Sequence, residues 1–455
     1  MGWPRRDELL DAFRSHGHEL WVVGGALRDE LLGVDGGDED FATDALPDTV
    51  EELARGLDAP VTNVGKRFGT IGVLVDGRWT EITTFRGESY DGSGRWPEVR
   101  FGASIEEDLA RRDFTVNALA RDAMSRRMLD LYGGAEDLRA GIIRAVGDPA
   151  TRFQEDPLRI MRGVRFAAQL GFVIEEHTLA GMQETAEQTL SLSVERVSAE
   201  LDKLLCAPYP RKGLEYLRES GLLPVLFPEL DAMVGCEQNR FHRFDVWGHT
   251  VTTVEEIDVR EHRRLRRWTA LLHDVGKPPV RHEKKDGEWG FYSHETAGAD
   301  VAREMLERLR VGRQLEHEVT LLVRRHMDRP NIEERRSVRR FMSRAGELWR
   351  DLVALKRADN ASHTYDDTDY HDALLAACEQ VEAEDAEALR AESPLDGNEL
   401  RAMFDREPGP WIGRIKRELS NRVLDGELAP GDRERAAGDR PGADGAEPAG
   451  GNPHR

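Results

Sequence analysis

Short apolar runs separated by turns characterise the first part of the chain. Three of these runs, at residues 20–23, 71–75 and 79–83, have the length and the β-branched and aromatic content of strands. Helical patterns occupy residues 26–32 and 47–57. The pattern therefore predicts a head in which a sheet is combined with helices.

From about Asp148 onward, apolar residues recur with the 3.6-residue period of helices, as in residues 158–167 and 194–205. Few strand patterns follow, so we expect the remainder to be mostly helical. After Leu428 the chain contains no Leu, Ile, Val, Met or aromatic residue. A segment that cannot bury apolar surface is expected to be disordered.

A chain of 455 residues, 39% of them hydrophobic, is long enough for about two to four domains. Cys206, Cys236 and Cys378 form no C-x-x-C pair, which argues against a disulfide framework or zinc ribbon and indicates a reducing compartment. The sequence contains no signal-peptide core and no stretch near the ~18 apolar residues of a membrane span. We expect a cytoplasmic protein without membrane association.

The formal net charge of -22 does not exclude a nucleic-acid partner. Of the 64 basic residues, 56 are arginines, and a local groove can be basic in an acidic protein. A general adaptation of the surface, for example to high salt, explains the acid excess equally well. No function follows from the charge alone.

The Gly24-Gly25 pair follows a predicted strand and opens a predicted helix that carries Arg28. Backbone N–H groups at such a turn can bind a triphosphate. Asp38 and Asp40 follow, and their i, i+2 spacing places both carboxylates on one face of an extended segment. Two such carboxylates can hold two Mg²⁺ ions about 4 Å apart for an in-line displacement at phosphorus, and Glu81 on a later strand can complete the cluster.

Arg111, Arg112 and Asp113 form a second polar group. Guanidinium groups suit phosphate oxygens, and a carboxylate can accept a hydrogen bond from a ribose hydroxyl. By themselves these residues are also typical of an ion-pair cluster at the surface.

Asp156 and Arg159 have the i, i+3 spacing that places an acceptor-only carboxylate beside a donor-only guanidinium on one helix face. Cytosine and adenine present an amino donor beside a ring-nitrogen acceptor, whereas uracil and guanine present the reverse, so such a pair can accept C and A and reject U and G. A second interpretation stays open, because Pro157 favours Asp156 as the N-cap of the following helix. Arg162 and Arg165 continue a basic stripe for the base or the triphosphate.

Histidines and aspartates are distributed over the later helical segments: His249, His273, Asp274, His294, His326 and Asp359. Imidazole and carboxylate ligands suit divalent metal ions, and the adjacent His273 and Asp274 supply two of them from one helix end. The alternative is an inherited fold without activity, since a single histidine on an apolar helix is more often a core residue.

Taken together, the motifs resemble the nucleotidyltransferase head of the class II tRNA nucleotidyltransferases and bacterial poly(A) polymerases, over about residues 20–205. The resemblance implies that Asp38, Asp40 and Glu81 are catalytic. It also implies a set of nucleotide-binding residues: Gly24, Gly25, Arg28, Arg111, Arg112, Asp113, Asn117, Asp156, Arg159, Arg162 and Arg165. A helix-stabilising element is matched by Glu195, Arg196, Glu200 and Lys203. Gly37, where members often carry a basic residue, departs from the pattern and concerns triphosphate affinity.

The order His, His-Asp, Asp resembles the HD phosphohydrolase domain. The resemblance implies a second divalent metal, with His249, His273, Asp274 and Asp359 as its ligands. His294 and His326 match outer or second-metal positions more loosely. Residues 397–400 and 409–413 resemble the tail of the same transferase family and extend the match to about residue 430.

The implied fold is α+β. It comprises a nucleotidyltransferase head with a small mixed sheet (1–145), an all-α neck with the base-reading element (146–210), a helical body with the HD-type domain (211–365), a helical tail for tRNA (366–430) and a disordered end (431–455).

We therefore predict template-independent addition or repair of the 3′ CCA end of tRNA from CTP and ATP, with Mg²⁺, together with HD-domain phosphohydrolase activity. Members with an HD domain resemble the CCA-adding branch more than the poly(A) polymerases. Poly(A), CC-only and A-only addition stay open, because the loop at residues 90–97 does not distinguish them. An HD phosphohydrolase with a nucleotide-binding head, or a noncatalytic RNA-binding protein, is a weaker alternative, since neither requires a metal-binding aspartate pair. Arginines at 263–267 and 335–340 are candidates for RNA contact or for solvated helix faces, and the oligomeric state is open.

Overall fold

The computed structural model describes residues 4–34, 39–89, 98–389, 393–429 and 431–438. The chain forms two compact units, which divide in sequence after Asp231. In the described residues, no helix is both long enough and apolar enough to cross a membrane.

The strands of the first unit are β1 (Leu20–Val23), β2 (Phe41–Thr43), β3 (Val61–Thr62), β4 (Thr70–Val75), β5 (Arg78–Thr84), β6 (Arg86–Ser89), β7 (Glu98–Phe101), β8 (Leu119–Asp122), β9 (Met128–Asp130), β10 (Ile142–Ile143) and β11 (Val173–Ile174). Its helices are α1 (Arg6–Ser15), α2 (Gly24–Leu31), α3 (Pro47–Gly56), α4 (Ile105–Ala110), α5 (Gly134–Ala140), α6 (Pro149–Glu155), α7 (Leu158–Leu170), α8 (Glu176–Thr185), α9 (Val194–Leu205), α10 (Pro210–Glu219), α11 (Leu222–Leu226) and α12 (Pro228–Asp231).

Seven strands form one mixed sheet in the order β3-β4-β5-β2-β1-β8-β9. Its one parallel pair joins β2 to β5, with Phe41 opposite Ile82, and its other neighbouring strands are antiparallel. The apolar runs predicted as strands coincide with β1, β4 and β5, and most of their apolar side chains are buried, although Trp79 of β5 is 49% exposed. The predicted α+β class with a small mixed sheet is confirmed. One core cluster of this unit contains Trp21, Val23, Ala42, Phe85, Ile105, Leu109 and Ala120.

The second unit is almost entirely helical. Its helices are α13 (Val246–Glu256), α14 (Arg263–Leu272), α15 (Lys277–Val280), α16 (His294–Arg308), α17 (Arg313–Arg325), α18 (Arg335–Ala345), α19 (Trp349–Asn360), α20 (Thr368–Leu389), α21 (Gly397–Phe404), α22 (Pro410–Leu424) and α23 (Arg433–Gly438). A short hairpin, β12 (His282–Glu283) and β13 (Trp289–Gly290), follows α15.

The expectation of disorder from residue 431 is wrong for residues 433–438, which form α23. Ala436 is fully buried in a cluster with Leu400, Trp411 and Leu419. The small side chain of Ala436 packs this helix against the cluster. The segment contains no large apolar side chain, which is why its sequence did not predict a packed helix. Residues 439–455 lie outside the described residues.

Some arginines of each group have buried or acidic partners, whereas Arg263, Arg264, Arg335 and Arg336 are exposed. Arg266 and Arg267 of α14 are both 5% exposed, and Arg266 Nε donates to the buried Asp351 at 2.6 Å. On α18, Arg340 Nη2 donates to Asp425 at 2.6 Å. The described contacts therefore give these arginines structural partners, which the spacing alone does not reveal.

Candidate active site and metal centre

A cavity of about 730 Å³ in the first unit is lined by the predicted nucleotide-binding residues. The structure brings the following together around it: Gly24, Gly25, Arg28, Asp40, Glu81, Arg111, Arg112, Asp113, Asn117, Asp156, Arg159, Arg162 and Arg165. Asp38 lies outside the described residues, as does the loop at residues 90–97. All described candidates for the first site thus share one cavity.

The turn between β1 and α2 requires glycine at its first position. Gly24 has a φ of +70°, and a Cβ there would lie 3.0 Å from Nη1 of Arg112. Arg28, one turn into α2, donates from Nη1 to Oδ1 of Asn117 at 2.8 Å. The glycine thus permits the helix start and Arg112 to approach closely at the cavity wall.

Strand register places two of the predicted carboxylates side by side. Phe41 pairs with Ile82 in the parallel ladder, so Asp40 and Glu81, each one residue earlier, occupy neighbouring positions. The carbonyl of Asp40 accepts a hydrogen bond from the N–H of Val23 at 3.0 Å, which anchors this segment to the end of β1. Both acids line the cavity. Their oxygens suit a hard divalent cation, which prefers carboxylate ligands.

A buried acid that the sequence reasoning missed holds the arginines in place. Asp108, 1% exposed, accepts hydrogen bonds from Arg111 Nε at 3.1 Å and from Arg112 Nη2 at 3.2 Å. Burial alone would raise the pKa of Asp108, but the two guanidinium groups lower it below the usual range. Its i−3 and i−4 spacing to the arginines is the sequence signal that identifies it.

The carboxylate of Asp113 already has three protein donors. Its Oδ2 accepts from Arg162 Nε at 2.7 Å, and its Oδ1 accepts from Asn117 Nδ2 at 3.1 Å and from the N–H of Phe114 at 2.8 Å. Burial opposes ionisation, but Arg162 and Asn117 lower the pKa of Asp113. Because a carboxylate has about four lone-pair positions, about one is left for a ribose hydroxyl.

Asp156 and Arg159 both line the cavity, but each contacts a partner other than its predicted neighbour. Asp156 Oδ2 lies 3.2 Å from Arg196 Nη2, and Asp156 Oδ1 accepts from the N–H of Leu158 at 3.2 Å. Arg159 Nη1 donates to Glu155 Oε2 at 2.8 Å. The bond from Leu158 satisfies an N–H at the start of α7, as the alternative interpretation requires, although Pro157 and not Asp156 directly precedes that helix. The position of Asp156 at the cavity is compatible with base reading as well.

Helix α9 supplies charged partners for residues that line the cavity. Besides the Arg196 contact, Glu200 Oε2 lies 2.7 Å from Nε of Arg165, and both side chains are less than 10% exposed. Lys203 lies 3.7 Å from Glu200. Arg165 and Arg162 therefore do not form a free basic stripe, because each has an acidic partner in the described structure.

The second unit brings together the four predicted ligands of the HD-like site. His249 Nε2 lies 2.9 Å from Asp359 Oδ1 and 3.1 Å from Asp274 Oδ2, and His273 Nε2 lies 3.2 Å from Asp274 Oδ2. His249, His273 and Asp274 are at most 1% exposed. Buried nitrogen and oxygen atoms that converge in this way form a donor set suited to a divalent transition metal.

The other oxygen of Asp274 faces a second pair of histidines. Asp274 Oδ1 lies 3.4 Å from His294 Nε2 and 3.7 Å from His326 Nε2. These two histidines, matched only loosely from sequence, thus join the cluster through a shared carboxylate. His242 and His363, which sequence reasoning missed, lie close to His249 and form a further group of possible ligands.

Backbone carbonyls orient the imidazole rings. The Nδ1 atoms of His273, His294 and His326 lie 2.9, 2.9 and 2.6 Å from carbonyl oxygens that can only accept, so Nδ1 carries the proton and Nε2 is left for a metal. Burial alone would lower the pKa of His273, but Asp274 and Asp359 raise it to about 10. A metal ion can replace that proton between the same atoms.

A glycine permits the close approach of two helices at this cluster. A Cβ on Gly276 would lie 2.2 Å from the carbonyl oxygen of His294 and 2.3 Å from the N–H nitrogen of Gly298. Any larger residue would separate the start of α15 from α16. The glycine that follows His273-Asp274 in the sequence therefore has a packing role that brings Asp274 and His294 together.

Comparison with known proteins identifies the family. Three family models match: the poly A polymerase head domain at residues 20–144, a probable RNA and SrmB binding site of polymerase A at 171–234, and the HD domain at 241–364. The CCA-adding enzyme of Streptococcus sanguinis is 35% identical over 94% of this chain and 94% of its own length. The chain belongs to the CCA-adding enzyme family. The CCA-adding enzyme of Bacillus pumilus is also similar, with 38% identity over 68% of this chain and 77% of its own length.

Solved structures agree with this assignment. The Bacillus stearothermophilus CCA-adding enzyme in complex with CTP is 27% identical, covers 93% of this chain and 92% of its own, and superposes with a TM-score of 0.68. The Thermotoga maritima CCA-adding enzyme complexed with tRNA has 20% identity and a TM-score of 0.56, covers 94% of this chain and 92% of its own, and supports the fold. The predicted family, fold class and nucleotidyltransferase class are confirmed, whereas the role of each residue stays a prediction.

Proposed function

We propose that this CCA-adding enzyme builds or repairs the 3′ CCA end of tRNA from CTP and ATP without a template. The carrying observation is that one cavity is lined by Asp40 and Glu81, which occupy neighbouring positions in register, and also by the arginine group and Asp156. CCA-adding relatives solved with CTP and with tRNA support these substrates. We propose that Asp38, although outside the described residues, completes the carboxylate set with Asp40 and Glu81.

Mg²⁺ is the proposed cofactor of this site, since the available donors are carboxylates. When bound, the metal stabilises the charge of the reacting phosphate and lowers the pKa of the attacking hydroxyl. In the reaction, the 3′-hydroxyl of the tRNA attacks the α-phosphorus of the incoming CTP or ATP, and pyrophosphate leaves. Arg28, Arg111 and Arg112 line the cavity as candidates for binding the triphosphate oxygens.

Base selection is assigned to Asp156 and Arg159. The carboxylate accepts from the amino group of C or A, and the guanidinium donates to the ring nitrogen. In the described structure these two groups contact Arg196 and Glu155. Nucleotide binding would then require the Arg196 and Glu155 contacts to be exchanged for contacts to the base.

For the HD-like site we propose metal-dependent phosphohydrolase activity. One nitrogen or oxygen atom from each of four residues converges there, and these donors support the binding of a divalent metal ion: His249, His273, Asp274 and Asp359. We retain the division into head, neck, body, tail and terminal segment as a proposal. We also propose the cytoplasm as the location, because the three cysteines form no disulfide within the described residues and the tRNA substrate is compatible with that compartment.

The test is an extension assay on tRNAs that end before, within and after CCA, with each nucleotide supplied singly and in pairs. CCA addition predicts one or two C residues with CTP alone, completion with ATP, and no extension of a finished CCA end. A poly(A) polymerase would add many A residues with ATP alone. An enzyme restricted to CC or to A would stop at a partial end even with both nucleotides.

A further inference from the structure

Trp79 is an exposed tryptophan on the strand that carries Glu81. Of the seven tryptophans that the structure describes, five are at most 6% exposed. Trp289 is covered by Arg281, whose guanidinium carbon lies 3.7 Å from the ring centroid. Trp79 is 49% exposed, and in the described part of the chain no ring or guanidinium group stacks on it. Its indole therefore has a large surface available to a planar ligand.

The alternation of β5 places the indole on the same face of the sheet as Glu81. Residues 80, 82 and 84 are buried on one face, whereas Trp79, Glu81 and Thr83 belong to the other. Gly72 of β4 pairs with Glu81, and a Cβ on Gly72 would lie 3.7 Å from Cε3 of Trp79. The indole thus lies beside the backbone position that is the direct cross-strand neighbour of Glu81.

Glu81 marks the boundary between the cavity and the open surface of the sheet. Thr83, which follows Glu81 on the same face, lines the cavity, whereas Trp79, which precedes it, does not. The neighbouring strand repeats this arrangement, because Thr70 lines the cavity and Leu74, opposite Trp79, does not. Trp79 therefore lies on the outer side of Glu81, two residues or about 7 Å away along the strand.

The stereochemistry of the reaction determines which substrate meets this outer side. In an in-line displacement, the attacking hydroxyl approaches the phosphorus from the side opposite to the leaving group. The proposed ligands of the triphosphate, Arg28, Arg111 and Arg112, all line the cavity. Pyrophosphate therefore leaves on the cavity side of the carboxylates, and the 3′-terminal nucleotide of the tRNA primer approaches from the side of Trp79.

An aromatic ring suits a primer whose last base changes during the reaction. During CCA addition the terminal base is first that of the acceptor stem and then C, so a contact to it must accept different bases. Stacking on an aromatic side chain does so, because every base has a π face. We propose that the 3′-terminal base of the tRNA primer stacks on Trp79, which positions the 3′-hydroxyl at Asp40 and Glu81. The proposal rests on the nucleotidyl transfer proposed above.

The test measures the addition of one C by the full-length wild type, Trp79→Ala and the ring-preserving control Trp79→Phe. Two tRNA primers without CCA are compared: one has its ordinary terminal nucleotide, and the other ends in an abasic ribonucleotide with the same 3′-hydroxyl. Trp79→Ala should lower kcat/KM for the ordinary primer about tenfold, which corresponds to ~1.4 kcal/mol and lies within the range for stacking one base. It should leave kcat/KM for the abasic primer and KM for CTP at wild-type values. Trp79→Phe should keep the wild-type preference for the ordinary primer.

Wild-type kinetics in Trp79→Ala would overturn the proposal. Equal losses on the two primers would overturn it as well, because Trp79 would then act on the fold or on the incoming nucleotide rather than on the primer base.

A binding measurement tests the stacking without chemistry. A tRNA primer that ends in 2-aminopurine is mixed with each protein in the absence of nucleotides, since stacking on a ring quenches the fluorescence of this base. Wild type and Trp79→Phe should quench it more strongly than Trp79→Ala at saturating protein, and equal quenching by all three would contradict the proposal. If the wild type extends neither primer, the proposed nucleotidyl transfer fails separately, and the quenching alone then decides whether the base stacks on Trp79.

Discussion

Replacing Asp156 by alanine separates base reading from helix capping. The change removes the capping bond to the N–H of Leu158 and the ion pair with Arg196, both 3.2 Å long. Loss of a cap costs ~1 kcal/mol. The ion pair joins side chains that are 43% and 32% exposed, so screening by solvent limits its contribution to at most ~1 kcal/mol. We expect the free energy of unfolding to fall by ~1–2 kcal/mol in either case.

Base reading adds an effect that capping does not. If Asp156 accepts from the amino group of C and A, its removal lowers the discrimination against UTP and GTP by ~1–3 kcal/mol, or about 5- to 150-fold in kcat/KM ratios. The assay measures kcat/KM for all four nucleotides on matched tRNA primers, together with a denaturation curve.

A matched control is Asp148→Ala. Asp148 caps α6 by accepting from the N–H of Thr151 at 2.9 Å, but it does not line the cavity. The control should lose stability and keep wild-type nucleotide ratios. If Asp156→Ala behaves like Asp148→Ala, with unchanged ratios, the base-reading argument is refuted.

Four further predictions address the carboxylates and the buried charges. Asp40→Ala should abolish nucleotide addition while filter binding of tRNA stays near wild type, because a metal ligand acts on the chemical step; wild-type addition would contradict the assignment. His273→Ala with Asp274→Ala should remove metal-dependent phosphatase activity and spare CCA addition, since the two clusters are in different units; equal loss of both in a folded protein would exclude that independence. Asp351→Ala should lower the urea-unfolding free energy by ~3–5 kcal/mol, because it removes the buried carboxylate partner of Arg266, which is 5% exposed; a loss below ~1 kcal/mol would count against this buried pair. The depressed pKa of Asp113 implies that its ionised carboxylate stabilises the fold above the unfolded pKa of ~3.9, and that this stabilisation is lost as the pH falls through the folded pKa. Asp113→Asn should therefore make the free energy of unfolding decrease less steeply as the pH is lowered through this range. A pH dependence identical to that of the wild type would argue against this.

Local sequence patterns predict much of the fold and many of the residues of both candidate sites. The alternation of apolar runs predicts β1, β4 and β5, and the Gly24-Gly25 pair marks the start of α2, because strands and glycine turns depend on neighbouring residues. The motifs also predict which side chains converge. Asp40 and Glu81 are 41 residues apart in the numbering, yet the parallel pairing of β2 and β5 brings them into register.

The sequence pattern does not predict which carboxylate each arginine of the sites contacts, because these contacts depend on tertiary packing. Arg159 pairs with Glu155 rather than Asp156, and Arg165 pairs with Glu200 from a separate helix. Arg266, in a run typical of a solvated face, is buried against Asp351. Tertiary contacts decide these pairings, since several acids compete for each guanidinium.

The central claim is that the cavity of the first unit adds C, C and A to tRNA and then stops. Its most direct measurement is sequencing of the 3′ ends of a tRNA that lacks CCA after incubation with Mg²⁺ and all four nucleotides, using the wild type and Asp40→Ala. We predict that wild-type products end in CCA, and that Asp40→Ala binds the tRNA but leaves it unextended. Long A tails, ends that contain U or G, or wild-type extension by Asp40→Ala would contradict the claim.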